Sequence, residues 1–258
     1  MRVLVTFALE NEFAPWRKMH NFREESLGAV TLSVADIGGM EVAVLITGAG
    51  PRASGSSAAK VIRSEGELLG CCISSGLAGA LRSEYEIGQV LAARSVTTES
   101  VRTDVPGGEM DCSPALVSFA EECGATVVDR FYTAERAISR ADEKKRLGKS
   151  ADAVEMESFE ILLEARASGV PAVAIRAISD GVDEDLPLDM NQVFSDEGRV
   201  SVPRVLGQLA LHPQSVRGLV RLGQQSRKAA ESLALFLDGY IAKIAASTLP
   251  IEAKAASR

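Results

Sequence analysis

The segment Ala172–Ile178, with the sequence Ala-Val-Ala-Ile-Arg-Ala-Ile, has the strongest apolar strand pattern in the chain and decides the fold class. A helical pattern over Met156–Ala167 precedes it, and the acidic, polar segment Gly181–Asn191 follows it. A helix, a buried strand and a polar loop in this order are typical of an α/β sheet. Ligands of such sheets bind beyond the carboxyl ends of strands, so this loop is a candidate edge of a site; a solvated acidic turn explains it equally well.

The same alternation extends in both directions from this segment. Further helical patterns cover Ala53–Ser64, Pro114–Cys123 and Ala141–Leu147. Short β-branched runs separate them and predict strands, at Val3–Phe7, Val30–Val34, Val42–Ile46, Cys71–Ser75, Gln89–Ala93 and Ala125–Val128. This pattern predicts a three-layer α/β/α fold around a twisted mixed central sheet.

A long, modestly basic helical region begins at about residue 203. Its apolar residues recur at the helical period between Val216 and Ile244, which favours packing of one face against the sheet. Contact with a membrane surface is the less favoured interpretation. We expect one domain over residues 1–246, followed by a frayed tail at 247–258.

Composition narrows the classes of partner. The chain has 258 residues and a formal net charge of −7, so no overall positive field is available to hold a nucleic acid. Four cysteines without C-x-x-C spacing and two histidines make a structural zinc site improbable, and no metal or cofactor is expected. The apolar residues at the start of the sequence predict a strand, and no apolar run is long enough to span a bilayer. We therefore expect a cytoplasmic protein.

Three carboxylate-bearing segments lie at the edges of predicted strands: Ala8–Glu12, Val154–Ser158 and Arg176–Asp180. Taken singly, each has an ordinary structural explanation. A glutamate in a first helical turn complements the helix dipole, and an aspartate after a strand is usually a turn or cap residue.

Together, these segments resemble the nucleoside phosphorylase and nucleosidase superfamily over most of the chain. Ala8–Glu12 is similar to the G-A-M-E-E-E-V opening of the methylthioadenosine/S-adenosylhomocysteine nucleosidases, Val154–Ser158 to their V-E-M-E, and Arg176–Asp180 to their R-A-I-S-D. Ile46–Gly50 resembles their glycine turn and Ser74–Leu81 their N-T-G-S-A-G-G-L loop. The C-terminal helix and the glycine loop look more like the hopanoid-associated phosphorylases.

The resemblance implies a role for each residue at the base end of a purine nucleoside. Asp180 would donate a proton to purine N7 as general acid, with Ser179 positioning its carboxyl group. This role requires a protonated carboxyl near neutral pH, which two nearby glutamates would favour. Ala78 and Gly79 would contact the substrate.

The sugar end is implied in the same way. Glu157 would accept hydrogen bonds from the ribose hydroxyls, and Met156 would supply soft apolar surface against the sugar or base. Glu12 would orient or deprotonate an attacking water. Arg176 would hold Glu12 or a ribosyl oxygen, with a purely structural ion pair as an equal alternative.

The glycine turn at Gly48 and Gly50 has two interpretations. A dinucleotide site is disfavoured because Ala53 stands at the third glycine position and no acidic residue ends a second strand. An anion site formed with Arg52 at the helix N-terminus is the alternative, and it would hold phosphate in a phosphorylase. Leu77 stands where the nucleosidases carry serine, and Ser74 and Leu77 replace the phosphate ligands of related phosphorylases, which favours hydrolysis.

The sequence therefore predicts a homodimeric enzyme that cleaves the N-glycosidic bond of a purine nucleoside, with adenine as the favoured base. Phosphorolysis of a nucleoside or an adenosyl lipid, with inorganic phosphate as co-substrate, stays open, as does a non-catalytic nucleoside-binding module. Ala137 replaces the phenylalanine with which the nucleosidases stack on the base, so Phe131 or Tyr132 is expected to stack instead.

Overall fold

A computed structural model describes residues 1–99, 108–193, 198, 201–211 and 214–247. Side chains of 206 and 209–211 are outside this description. The strands are β1 Arg2–Phe7, β2 Arg23–Leu27, β3 Val30–Ile37, β4 Met40–Ile46, β5 Leu69–Ala80, β6 Val90–Thr98, β7 Glu109–Asp111, β8 Thr126–Thr133, β9 Ala153–Glu155 and β10 Ala172–Asp180. The helices are α1 Glu10–Arg17, α2 Pro51–Glu65, α3 Pro114–Glu122, α4 Ala141–Leu147, α5 Ser158–Ala167, α6 Met190–Val193, α7 Val202–Leu211 and α8 Ser215–Ala246.

The ten strands form one mixed sheet in the order β10-β6-β8-β9-β5-β1-β4-β3-β2, with β7 paired to β6. β5 also pairs with β10 in parallel, so strands β5, β10, β6, β8 and β9 close into a ring. Helices α2 and α5 pack together, and α8 packs against α1 and α3 as well as against β10. The predicted mixed sheet flanked by helices is confirmed, and ring closure is the feature that the sequence did not indicate.

Strand β5 is longer than predicted, because it continues through the glycine-containing segment that we expected to be a loop. Gly76 and Gly79 pair with Arg176 and Asp180 of β10. A Cβ atom on Gly79 would lie 2.9 Å from Asp180 Oδ2, so the missing side chain makes room for that carboxyl group. These glycines allow two strands to approach where a polar side chain of β10 fills the space.

The first helix, α1, was not predicted. It contains Pro15 and carries two glutamates, Glu10 and Glu12, in its first turn, which hides its helical period. An aromatic cluster holds it to the sheet: Phe13 and Trp16 of α1 lie with ring centroids 5.5 and 6.3 Å from Phe7 of β1. Both α1 rings are fully buried, so the first turn of α1 is fixed at the end of β1.

The C-terminal helical region consists of two helices, α7 and α8. The buried face of α8 includes Leu233, Leu237 and Ile241, in agreement with the predicted packing face. No helix among the described residues is long and apolar enough to cross a membrane. The domain over residues 1–246 stays a prediction, and positions 248–258 of the predicted tail lie outside the described residues.

Candidate active site

A cavity of about 260 Å³ lies at the carboxyl ends of β1, β5 and β10. This volume suits a small molecule of about nucleoside size. Seven of the eleven predicted site residues line it: Glu12, Ala78, Gly79, Met156, Glu157, Ser179 and Asp180. Arg176 lies behind this wall, and Gly48, Gly50 and Arg52 are not among the described residues that line the cavity.

Glu12 enters the cavity from the first turn of α1. The backbone amides of Ala8 and Leu9 donate to its Oε2 at 3.0 and 3.2 Å. Burial raises the pKa of Glu12, while the nearby Arg176 and the amide donors oppose that rise. A raised pKa makes a carboxylate a stronger base, and the backbone donors fix its position, so Glu12 has the properties of a general base.

Arg176 is the cation around which the glutamates of the site gather. Its side chain is 1% exposed and forms ion pairs with Glu155 and with Glu157, the latter at 3.4 Å. It also donates to Ser158 Oγ at 2.8 Å and to the carbonyl oxygen of Ser75. Arg176 therefore holds Glu155 and Glu157 by direct contact, and its effect on Glu12 is electrostatic.

Glu155 is a site residue that sequence reasoning missed. It is 4% exposed, and the amides of Glu157 and Ser158 donate to its Oε2 at 3.0 and 2.7 Å. Thr133 Oγ1 donates to its other carboxyl oxygen. Glu155 thus fixes the start of α5 and, with it, the backbone of Glu157. The sequence could have indicated this residue, because Glu155 is the first glutamate of the Val154–Ser158 motif.

Glu157 lies between Arg176 and the glycine turn. The amide of Gly50, the residue before α2, donates to Glu157 Oε1 at 2.9 Å. Burial, together with the negative charge of Glu155, raises the pKa of Glu157 to about 7, against the opposing effect of Arg176. The anion at the N-terminus of α2 is therefore the carboxylate of Glu157, a side chain of the protein itself. Arg52, the expected anion ligand, is exposed.

A β-bulge presents two consecutive residues of β10 to the cavity. Ile178 pairs with Ala78 and Asp180 pairs with Gly79, so the register shifts at Ser179. Neighbouring strand residues normally point to opposite faces, and a bulge re-aims one of them. Ser179 Oγ therefore reaches Asp180 Oδ1 and donates to it at 2.7 Å.

The other carboxyl oxygen of Asp180 forms an ion pair with Lys144 of α4. The sequence prediction expected two glutamates near Asp180, and Glu12 and Glu157 line the same cavity; the field expected from them stays a prediction. Glu12 and Glu157 lie in the electrostatic environment of Arg176, whereas the direct charged partner of Asp180 is a lysine. Lys144 was missed because the Ala141–Leu147 pattern reads as a solvated charged helix.

The family profile of the phosphorylase superfamily matches residues 2–209. The chain belongs to the phosphorylase superfamily. It is accordingly an enzyme that cleaves glycosidic bonds, and the predicted membership is confirmed. The match ends before α8, and the expected likeness of the C-terminal part to hopanoid-associated phosphorylases stays unconfirmed.

Solved structures with the same fold come from several bacteria. The 5′-methylthioadenosine/S-adenosylhomocysteine nucleosidase of Helicobacter pylori is 19% identical with a TM-score of 0.72, over 93% of this chain and 97% of that one. Futalosine hydrolase of the same organism, as a mutant, is 18% identical with a TM-score of 0.72, over 93% and 98%. The Neisseria meningitidis nucleosidase is 20% identical with a TM-score of 0.71, over 93% and 98%. At these identities the likeness establishes the fold.

The cavity of this phosphorylase-superfamily protein is also lined by apolar residues outside the three carboxylate-bearing segments. These include Ala137 and Ile138, Leu186 of the acidic segment and Leu222 of α8, together with the polar Arg136 and Ser226. Among the described residues, neither Phe131 nor Tyr132 lines the cavity, so the expected aromatic stack is wrong for both. Leu222 lies far along the chain, and only the packing of α8 brings it here.

Proposed function

We propose that this enzyme hydrolyses the N-glycosidic bond of a purine nucleoside and releases the free base and a ribosyl product. The observation that carries the proposal is the presence of Glu12, Glu157 and Asp180 in one cavity of about 260 Å³. Departure of a purine leaves positive charge on the sugar and negative charge on the base, and carboxyl groups can serve both ends. Adenine is the favoured base by resemblance.

At the base end, Asp180 donates a proton to N7 while the bond between the ribose and the base breaks. The electron pair of that bond goes to the purine, and the transferred proton neutralises it. The Asp180 carboxylate left behind lies against the Lys144 ammonium group, which stabilises it. Ser179 holds the second carboxyl oxygen, and Ala78 and Gly79 form the adjoining wall.

At the sugar end, ionised Glu157 accepts hydrogen bonds from the ribose hydroxyls, and Met156 supplies apolar surface beside it. Glu12 takes a proton from the attacking water, whose oxygen bonds to the sugar. The proton on Glu12 then returns to solvent, and Asp180 regains one. Arg176 has a positioning role, since its contacts go to Glu155 and Glu157.

The contacts made by the glycine turn favour hydrolysis over phosphorolysis. The Gly50 amide already binds the Glu157 carboxylate, and the exposed Arg52 is not among the described residues that line the cavity. Neither is then available to hold a phosphate next to the ribose. Phosphorolysis remains the second candidate, since the superfamily takes its name from it.

The test is to incubate the purified protein with 5′-methylthioadenosine, adenosine and inosine, with and without phosphate, and to measure the released base. Release without phosphate supports the nucleosidase, and strict phosphate dependence replaces it with a phosphorylase. Failure with all three substrates contradicts the proposal and directs the next assay to adenosyl lipids or to ligand binding alone. The homodimer and the cytoplasmic location belong to the same proposal; size-exclusion chromatography with light scattering tests the first.

A further inference from the structure

Lys144 is the one fully buried charged residue of α4. Its side chain is 0% exposed, whereas those of Lys145 and Arg146 beside it are 57% and 71% exposed. Placing an ammonium group in a protein interior is costly unless it is paired and hydrogen-bonded. A methionine of similar shape would fill the same space, and a buried ion pair adds little stability over such a residue. Packing therefore does not account for this lysine.

All three N–H donors of the Lys144 ammonium group have acceptors in one short segment. Besides the Asp180 carboxylate, the carbonyl oxygens of Gly181 and Glu184 each accept at 3.0 Å. An ammonium group has three donors, so its capacity is used in full. Lys144 thus fixes both the side chain of Asp180 and the direction in which the chain leaves β10.

The two oxygens of the Asp180 carboxyl group are held from different sides. Ser179 Oγ donates to Oδ1 and Lys144 Nζ donates to Oδ2. Two donors from separate elements leave little freedom for the carboxyl plane to rotate. Lys144 is also the cation nearest to the place where charge changes when Asp180 gives up its proton.

We propose that Lys144 is a positioning residue for Asp180, which orients the carboxyl group toward the leaving base and stabilises the carboxylate formed by proton transfer. This inference rests on the proposed glycosidic cleavage. Its consequence is specific: loss of the ammonium group slows the step that protonates the base and leaves the ribose contacts of Glu157 unchanged.

The experiment compares Lys144→Met and Lys144→Arg with the matched control Lys145→Met, whose side chain is exposed and pairs with Asp183. Each protein is assayed with the purine nucleoside that the wild-type enzyme cleaves. Each is also assayed with 4-nitrophenyl ribofuranoside, whose leaving group departs without protonation. Circular dichroism and thermal unfolding establish which variants are folded.

We expect Lys144→Met to lower kcat on the nucleoside about 100-fold with KM within about threefold, as removal of general-acid assistance does. Lys144→Arg keeps the charge but changes the geometry, and we expect a loss of about tenfold. The rate on the nitrophenyl riboside, relative to wild type, falls much less in both variants. Lys145→Met matches the wild-type enzyme.

A folded Lys144 variant with wild-type kcat on the nucleoside overturns the proposal. Equal losses on the two substrates also overturn it, because they would reflect general damage to the site. If neither Lys144 variant folds, the residue is structural and the proposal is wrong. A wild-type protein that releases no base from any purine nucleoside contradicts the proposed function instead, which keeps the two failures distinct.

Discussion

Replacing Glu157 with glutamine tests whether the site keeps a carboxyl group that destabilises the fold at neutral pH. The pKa of Glu157 rises from its ordinary value of 4.5 to about 7, chiefly through burial. The folded state then binds a proton more tightly than the unfolded state, so stability falls as pH rises from the unfolded to the folded pKa. At about 1.36 kcal/mol per pKa unit, the wild-type protein loses roughly 3 kcal/mol of unfolding free energy across this interval.

The glutamine variant removes this titration and leaves most of the local structure in place. Its side-chain carbonyl oxygen can still accept from the Gly50 amide, and Arg176 keeps its ion pair with Glu155. Urea unfolding, followed by fluorescence of the single, buried Trp16, gives the free energy at several pH values between about 5 and 8. We expect the variant to gain stability relative to wild type as pH rises, and to level off above about pH 7.

The activity of Glu157→Gln should fall, although its stability at neutral pH should rise. A neutral amide is a weaker acceptor for ribose hydroxyls than a carboxylate, so kcat/KM of Glu157→Gln should fall about 100-fold. Glu67→Gln, at an exposed position, makes the same change in charge and should alter neither property. A free-energy difference between wild type and Glu157→Gln that stays constant across the pH range would refute the reasoning.

Four further expectations concern the same cavity. Asp180→Asn should lower kcat by about 10²–10⁴-fold and keep nucleoside binding, measured by calorimetry; full activity would refute the acid role. Glu12→Gln should also abolish turnover with binding retained, whereas loss of folding would indicate a structural role. Wild-type kcat/KM should decline as pH falls below about 7, because Glu157 takes up a proton there and the raised pKa of Glu12 acts in the same direction; a flat profile would contradict this. Gly79→Ala places a Cβ 2.9 Å from Asp180 Oδ2, and we expect about 100-fold slower turnover in a folded protein.

The parts of the fold that follow a regular period were predictable from sequence. β10 was predicted as Ala172–Ile178 and ends two residues later, and α4 has the predicted bounds. The glycine-containing part of β5 was not predictable, because glycines carry no apolar pattern and read as a turn. Their role becomes evident only when Asp180 is seen to occupy the space beside Gly79.

The same distinction holds for the site. Glu12, Glu157 and Asp180 were inferred from motifs, and the fold brings them into one cavity. Their charged partners could not be inferred, because partnership depends on tertiary neighbours that motif spacing does not specify. Lys144 lies in a run of five consecutive charged residues, Asp142 to Arg146, that is typical of a solvated helix, yet packing of α4 against the end of β10 buries it completely.

The two buried cations, Arg176 and Lys144, interact with different carboxyl groups at the two ends of the site. Arg176 serves Glu155 and Glu157 and acts electrostatically on Glu12, so three glutamates against one arginine leave a formal excess of two negative charges. Once Asp180 has given its proton to the base, its carboxylate and the Lys144 ammonium group balance each other. A ribosyl bond that breaks between these ends develops positive charge beside the glutamates and releases its electron pair toward Asp180 and Lys144. If Asp180 also paired with Arg176, the leaving base would face the same negative field as the sugar. Because Lys144 supplies a second cation, one small cavity can favour opposite charges at its two ends.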